Sequence, residues 1–88
     1  MARTRNRASQ VARESKRYRT AVRSFGLRLR ALRQGQDLTL EAAAEQMDID
    51  WKHLQKIEAG QLNITLVTLV RIAKGLHVSL DALFEGVS

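Results

Sequence analysis

The sequence predicts a small all-α domain, and three observations support that prediction. Apolar residues recur at the three- and four-residue spacing of amphipathic helices, and strand-like alternation is nowhere sustained. No proline interrupts a helix, and 88 residues suffice for one domain with one hydrophobic core. The apolar residues expected in that core are Phe25, Leu29, Leu32, Leu38, Ala43, Ala44, Met47, Ile49, Leu54, Ile57, Leu66, Leu69, Ile72, Ala73, Leu76, Val78, Leu80 and Leu83.

An apolar seam predicts that the first helix extends towards the N-terminus. The seam consists of Val11, Tyr18, Val22, Phe25, Leu29 and Leu32. Its spacing fits one long helix that begins near Ser9, although Gly26 should weaken that helix by about 1 kcal/mol. We expect part of residues 1–10 to stay mobile until a partner is bound. The chain is therefore divided into a basic, partly helical arm at residues 1–20 and a globular domain at residues 21–88.

The second helix is short, and one of its faces is apolar. Ala43, Ala44 and Met47 share that face, and Thr39 is a suitable N-cap. Because the alanine side chains are small, a neighbouring helix can approach closely. Thr39, at the start of this helix, is also a candidate binding residue.

A sharp turn separates the second helix from the third. Asp48 tolerates the left-handed conformation that such a turn requires, and Asp50 is a natural N-cap for a helix that begins at Trp51. Gly60 is a suitable terminator. We therefore predict a third helix at residues 51–59.

The third helix has an apolar side and a polar side. Leu54 and Ile57 lie on one stripe, while Lys52, Gln55 and Lys56 fall on the opposite side. Lysine can donate hydrogen bonds to guanine, and glutamine can pair with adenine in two hydrogen bonds. This composition predicts a helix that reads base edges in the major groove, and the alternative is an ordinary solvated face.

Three further residues are candidate contacts to DNA or to other groups. Trp51 could stack on a sugar or meet a thymine methyl, pack over the second helix, or dock a protein partner. His53 is expected to touch a phosphate or to pack against a neighbour. Asn63 precedes the fourth helix, which Thr65 can cap and whose N-terminal amides can hold a phosphate.

Charge is distributed unevenly along the chain. Residues 1–36 carry eleven basic residues and one acid, whereas residues 37–88 carry four basic residues and eight acids. The N-terminal segment should therefore attract a polyanion, and binding should weaken steeply with salt. Arg3, Arg5 and Arg7 alternate as expected for an arm in a narrow minor groove, and the alternative is a solubilising tail.

The residue inventory argues against an enzyme. The chain has no cysteine, its only histidines are His53 and His77, and it lacks a phosphate-cradling glycine motif. We therefore expect no catalytic residue, cofactor or metal. The absence of cysteine suits a reducing cytoplasm, and no apolar run suggests a signal peptide or a bilayer span. We expect a cytoplasmic bacterial protein that associates with the nucleoid when it is bound to DNA.

The chain resembles the helix-turn-helix regulators typified by phage Cro and CI repressors and by bacterial xenobiotic-response-element regulators. The resemblance covers residues 25–84, with a first helix at 25–33 and the fourth and fifth helices at 68–76 and 78–84. Family positions in the central helix pair are occupied by Ala44, Ile49, Leu54, Ile57, Glu58 and Gly60. The resemblance implies a compact five-helix, lambda-repressor-like domain that binds double-stranded DNA as a transcriptional regulator.

The resemblance also implies an ion pair between Arg33, at the end of the first helix, and Glu58, near the end of the third. Such a pair would hold the reading helix against the first helix. Two positions depart from the family pattern. Leu40 stands where the family often has a glutamine that contacts a phosphate, and Asp48 stands where the turn usually has glycine.

We expect the domain to bind DNA as a homodimer, because one module buries little surface. Two reading helices about 34 Å apart would match one turn of duplex. Leu80, Phe84 and Val87 form the first candidate interface, and the long first helix, with Tyr18 and Val22, is the second. The rival interpretation is a protein-interaction module of the same fold, such as an antitoxin or coactivator-like adaptor, with an unknown partner and weak or non-specific DNA binding.

Overall fold

The computed structural model describes the backbone of residues 2–61 and 63–87, and within those ranges the side chains from residue 15 onward. Five helices and no strand are present in these residues, which confirms the all-α fold class. The helices are α1 (Ala2–Gly35), α2 (Leu40–Met47), α3 (Trp51–Glu58), α4 (Leu66–Leu76) and α5 (Leu80–Leu83). None of the helices in the described part of the chain is both long and apolar enough to cross a membrane.

Helix α1 is longer than the seam predicts. It begins at Ala2 instead of near Ser9, and it continues without a break through residue 20. Alanine, arginine and glutamine favour helices, and no glycine or proline occurs before Gly26. A helix of 34 residues spans about 51 Å, which accounts for most of the 54 Å length of the molecule. The division into an arm and a domain at residue 20 stays a prediction.

Short polar side chains cap the four helices that follow α1. In each case the side-chain oxygen accepts a hydrogen bond from a backbone N–H two or three residues later. The capping residues are Thr39, Asp50, Thr65 and Ser79. Asp48 ends α2 in the left-handed conformation, with φ 56°, which confirms the predicted turn.

The core forms where α2, α3 and α4 meet α1. Helix α2 packs against α3 and α4, and α1 packs against α3. The largest fully buried side chains are Leu29, Met47, Leu54, Ile57, Ile72, Leu76 and Leu83. The core prediction is wrong at Leu66 and Leu80, which are 69% and 39% exposed. Each is the first residue of its helix and directly follows the N-cap.

Two buried glycines allow helices to approach closely. A Cβ atom on Gly26 would lie 2.5 Å from the Glu58 carbonyl oxygen and 2.7 Å from that of Ile57. A Cβ atom on Gly75 would lie 2.5 Å from Cγ of Met47. From the sequence, Gly26 is expected only to weaken α1, whereas in the structure it lets α1 cross the C-terminal end of α3.

Candidate nucleic-acid interface

The exposed face of α3 is formed by the polar side chains that alternate with its buried ones. Leu54 and Ile57 are fully buried, whereas Lys52, Gln55 and Lys56 are exposed. The helix begins at Trp51, as predicted, and its last helical residue is Glu58, one residue earlier than predicted. The polar side of α3 is therefore not covered by the side chains that the structure describes.

Trp51 lies at the first position of α3 and is 40% exposed. The Nζ atom of Lys52 lies 5.8 Å from the centroid of the indole ring, within the range of a cation–π interaction. Part of the indole remains available to a sugar, a thymine methyl or a protein. Its role stays open among the alternatives drawn from the sequence.

The other candidate contacts lie within α3, before α2 and in the loop that follows α3. His53 is half-buried, while Thr39 and Asn63 are exposed. The Oγ1 atom of Thr39 accepts a hydrogen bond from the Ala42 N–H at 3.0 Å, so it caps α2. N–H groups in the first turn of a helix lack partners within the helix, and they are suitable donors to a phosphate. Leu40 is half-buried and apolar, so it supplies no polar contact there.

The side chains of Arg3, Arg5 and Arg7 lie outside the described part of the chain, although their backbone belongs to α1. Their expected contact with a minor groove stays a prediction. Among the described residues, no group of three or more histidine, aspartate or glutamate side chains is placed to hold a metal ion.

Arg33 and Glu58 connect α1 to α3. The Nε atom of Arg33 donates a hydrogen bond to one carboxylate oxygen of Glu58 at 2.7 Å, and Nη2 donates to the other at 3.0 Å. Its Nη1 donates to the carbonyl oxygen of Leu38 at 2.8 Å. Both charged side chains are buried, and Arg30 lies 3.8 Å from the same carboxylate. This two-pronged pair fixes the end of α3 against α1.

The charge of Arg33 does not change in the neutral pH range. Hydrogen bonding to Glu58 raises the pKa of Arg33 above its ordinary value, and burial opposes this rise. A basic group whose pKa is raised keeps its full contribution to stability at every pH below its ordinary pKa. Because that ordinary value is already strongly alkaline, Arg33 stays charged throughout the neutral range.

Arg28 provides a second connection from α1 that was not singled out from the sequence. Its Nη2 atom donates a hydrogen bond to the carbonyl oxygen of Ala82 at 2.7 Å and lies 3.6 Å from the carboxylate of Glu85. The only sequence signal is a basic residue beside the apolar seam, because its acceptors lie more than fifty residues away. Arg28 ties α1 to the C-terminal segment.

Four of the five residues of the two candidate dimer interfaces line one apolar groove, and Leu80 is the exception. Phe84 and Leu80 are about two-fifths exposed, and Val87 is half-buried. Helix α5 ends at Leu83, so Phe84 and Val87 follow it, whereas the resemblance implied a helix through residue 84. The groove has a volume of about 200 Å³, and its lining includes Tyr18, Val22, Phe84 and Val87. The alternative interfaces predicted from the sequence are therefore parts of one surface.

Comparison with known proteins agrees with this geometry. Residues 29–83 match the HTH_3 family of helix-turn-helix proteins. The control protein C.MunI from a Mycoplasma species is 39% identical over 64 residues, which cover 72% of this chain and 86% of that protein. The crystal structure of the restriction-modification controller protein C.AhdI from Aeromonas hydrophila matches with a TM-score of 0.70 and 33% identity, over 72% of this chain and 96% of that one.

A larger protein contains the same fold. The HTH_3 family transcriptional regulator from Vibrio cholerae matches with a TM-score of 0.69 and 31% identity, over 77% of this chain and 36% of that one. The family match spans α2 to α5 and begins at residue 29, so most of α1 precedes it. The chain belongs to the HTH_3 family of helix-turn-helix proteins, and it is a DNA-binding transcriptional regulator.

Proposed function

We propose that this regulator binds a palindromic operator as a homodimer, with α3 in the major groove of each half-site. One observation carries the proposal: Lys52, Gln55 and Lys56 are exposed on a helix whose opposite side is buried. Lysine and glutamine match the hydrogen-bonding patterns of guanine and adenine in the major groove. Because the pair of Arg33 and Glu58 anchors α3, these side chains project from a fixed support.

The candidate residues fall into groups that contact different parts of the DNA. Lys52, Gln55 and Lys56 contact base edges, and Trp51 contacts a sugar or a thymine methyl at the start of α3. A second group of residues contacts phosphates or an adjacent minor groove. The phosphate contacts are His53, Thr39 and Asn63, and the minor-groove contacts are Arg3, Arg5 and Arg7.

The relatives suggest which genes the operator controls. C.MunI is named a control protein, and C.AhdI is named a restriction-modification controller protein. Their identities of 39% and 33%, each over 72% of this chain, support the same role here. We infer that this protein acts in the bacterial cytoplasm, on the nucleoid, and controls transcription of a restriction-modification system.

Selection of binding sites from random duplexes, followed by sequencing, tests this function. We expect enrichment of a palindrome whose half-site centres lie about one helical turn, 34 Å, apart. The double variant Lys52→Glu/Lys56→Glu should lose this enrichment, because it places negative charge against the duplex. Lys74→Glu, an exposed position on α4, is the control and should select the wild-type motif. Equal enrichment by all three proteins would rule out α3 as the reading element.

A protein-interaction module of the same fold is the second candidate function. The partial exposure of Trp51 and the large exposure of Leu66 and Val67 favour it, because exposed apolar side chains can receive a partner. Leu40, which stands where the family often has a phosphate-binding glutamine, also favours a protein-interaction module. In the selection experiment this function predicts salt-sensitive DNA binding without enrichment of any motif.

A further inference from the structure

Helix α1 carries more positive charge than its ion pairs neutralise. Residues 15–35 contain seven basic residues and no acidic residue. Three of these, Arg28, Arg30 and Arg33, lie within 4 Å of a carboxylate. The other four are exposed and enter no ion pair among the described side chains. These four are Lys16, Arg17, Arg19 and Arg23.

Three of the unpaired cations form a row along one side of α1. Lys16, Arg19 and Arg23 follow one another at spacings of three and four residues, which places them on the same face of a helix. We call these three residues the basic stripe. Like charges at these spacings repel one another and weaken a helix, so the stripe does not stabilise α1 itself.

The basic stripe begins beside the C-terminal end of α3. The Cα and Cγ atoms of Arg23 each lie 3.0 Å from the position that a Cβ atom on Gly60 would occupy. Arg19 lines a groove together with Gly60 and Asn63. Gly60 follows α3 by two residues, and Asn63 lies in the loop that leads to α4. The stripe therefore starts where the reading helix ends and continues away from it along α1.

We propose that the basic stripe is a second DNA-binding surface, which holds the phosphate backbone of the duplex flanking the half-site read by α3. The inference rests on the proposed function, because it places the flanking duplex next to the DNA that α3 is proposed to read. Lysine and arginine side chains bind phosphates whatever the base sequence. The stripe therefore adds affinity and lengthens the contacted duplex, but it does not change the preferred motif.

The double variant Arg19→Gln/Arg23→Gln tests the stripe. Glutamine keeps the Cγ atom that Arg23 places against Gly60, so the fold should be retained, and a melting temperature no lower than that of the wild type checks this. Each phosphate contact contributes about 0.9 to the slope of log affinity against log salt concentration. We therefore expect the slope to become shallower by about 2 per bound subunit, or about 4 for the proposed dimer, while site selection returns the wild-type motif.

A matched control removes the same charge elsewhere. Arg17→Gln/Lys74→Gln also lowers the net charge by two, but both positions lie off the stripe, on another side of α1 and on α4. Its salt slope should equal that of the wild type. The probe is a duplex of about 30 base pairs, roughly three helical turns, that carries the selected motif or, if none is selected, a random sequence.

The outcomes separate the stripe from the proposed function. Equal salt slopes for the two double variants would overturn the stripe, because only overall charge would then matter. The wild type could select no motif while the salt slope becomes shallower in the stripe variant and not in the control. In that case the stripe binds DNA, and the proposal that α3 reads an operator is wrong. If the wild type selects a motif and neither double variant changes the slope, operator reading stands and the stripe is wrong.

Discussion

At the scale of single residues, one carboxylate determines how the reading helix is held. Both oxygens of Glu58 accept hydrogen bonds from Arg33, and the same guanidinium also binds the carbonyl oxygen of Leu38. The carboxylate therefore links the end of α3 to the end of α1 and, through Arg33, to the segment that leads into α2. Because the guanidinium is buried, its charge depends on Glu58 for compensation.

Glu58→Gln should lower both stability and DNA affinity. Glutamine has nearly the same shape, but it leaves the buried guanidinium of Arg33 without its main counter-charge. Breaking a buried pair in this way costs about 3 to 5 kcal/mol in the free energy of unfolding, measured by urea denaturation. Glu45→Gln, which changes an exposed carboxylate on α2, should change this quantity by less than about 0.5 kcal/mol. Equal unfolding midpoints for the two variants would mean that the pair does not stabilise the fold.

At the scale of helices, local signals predicted where the two central helices begin. The starts of α2 and α3 follow from caps that act within three residues, at Thr39 and Asp50, and these starts are confirmed. Features that depend on distant residues could not be predicted in this way. The need for glycine at Gly26 depends on the crossing of α1 over α3, and the exposure of Leu66 depends on where the opposing helices end.

The length of α1 escaped prediction for a different reason. Its N-terminal half has favourable intrinsic propensity but a high density of like charges, and the two effects oppose each other. The sequence pattern gives no means of weighing them. The candidate reading face was easier to predict, because the periodicity of α3 alone separates Leu54 and Ile57 from Lys52, Gln55 and Lys56.

Removing the N-cap of α3 should impair DNA binding through the helix itself. The Asp50 carboxylate accepts a hydrogen bond from the Lys52 N–H at 2.8 Å. Asp50→Ala should therefore lower the free energy of unfolding by about 1 kcal/mol and weaken operator binding, because the first turn of α3 frays. Asp50→Asn is the matched control, since it removes the same charge but can still cap the helix. An identical operator affinity for the two variants, measured by titration, would show that the capped turn does not contribute to reading.

At the scale of the whole molecule, the apolar groove determines how two copies could associate. It is formed by segments far apart in the sequence: the middle of α1, Ile64 before α4, Leu69 within α4, and the residues that follow α5. The rings of Phe25 and Phe84 lie 5.2 Å apart at an interplanar angle of 34°, so Phe84 is supported from within the fold. A partner that fills this groove would cover the exposed part of Phe84 and would contact Tyr18 and Val22 as well.

Phe84→Glu should therefore dissociate the proposed dimer. A carboxylate in an apolar interface is desolvated without a partner, and loss of a central aromatic contact typically costs about 2 kcal/mol or more, roughly a thirtyfold rise in the dissociation constant. Sedimentation at a series of protein concentrations measures this change. Val22→Glu should act in the same direction, because Val22 lines the same groove.

Leu27→Glu supplies the matched control for Phe84→Glu. Leu27 is an apolar residue of α1 that is 64% exposed, and it is not among the residues that line the groove. Its substitution should leave the dissociation constant of the dimer unchanged, and circular dichroism should show that all three variants keep their helices. If Leu27→Glu dissociates the dimer while Phe84→Glu and Val22→Glu do not, the two copies meet on the opposite side of α1. A wild-type protein that sediments as a monomer would eliminate both surfaces.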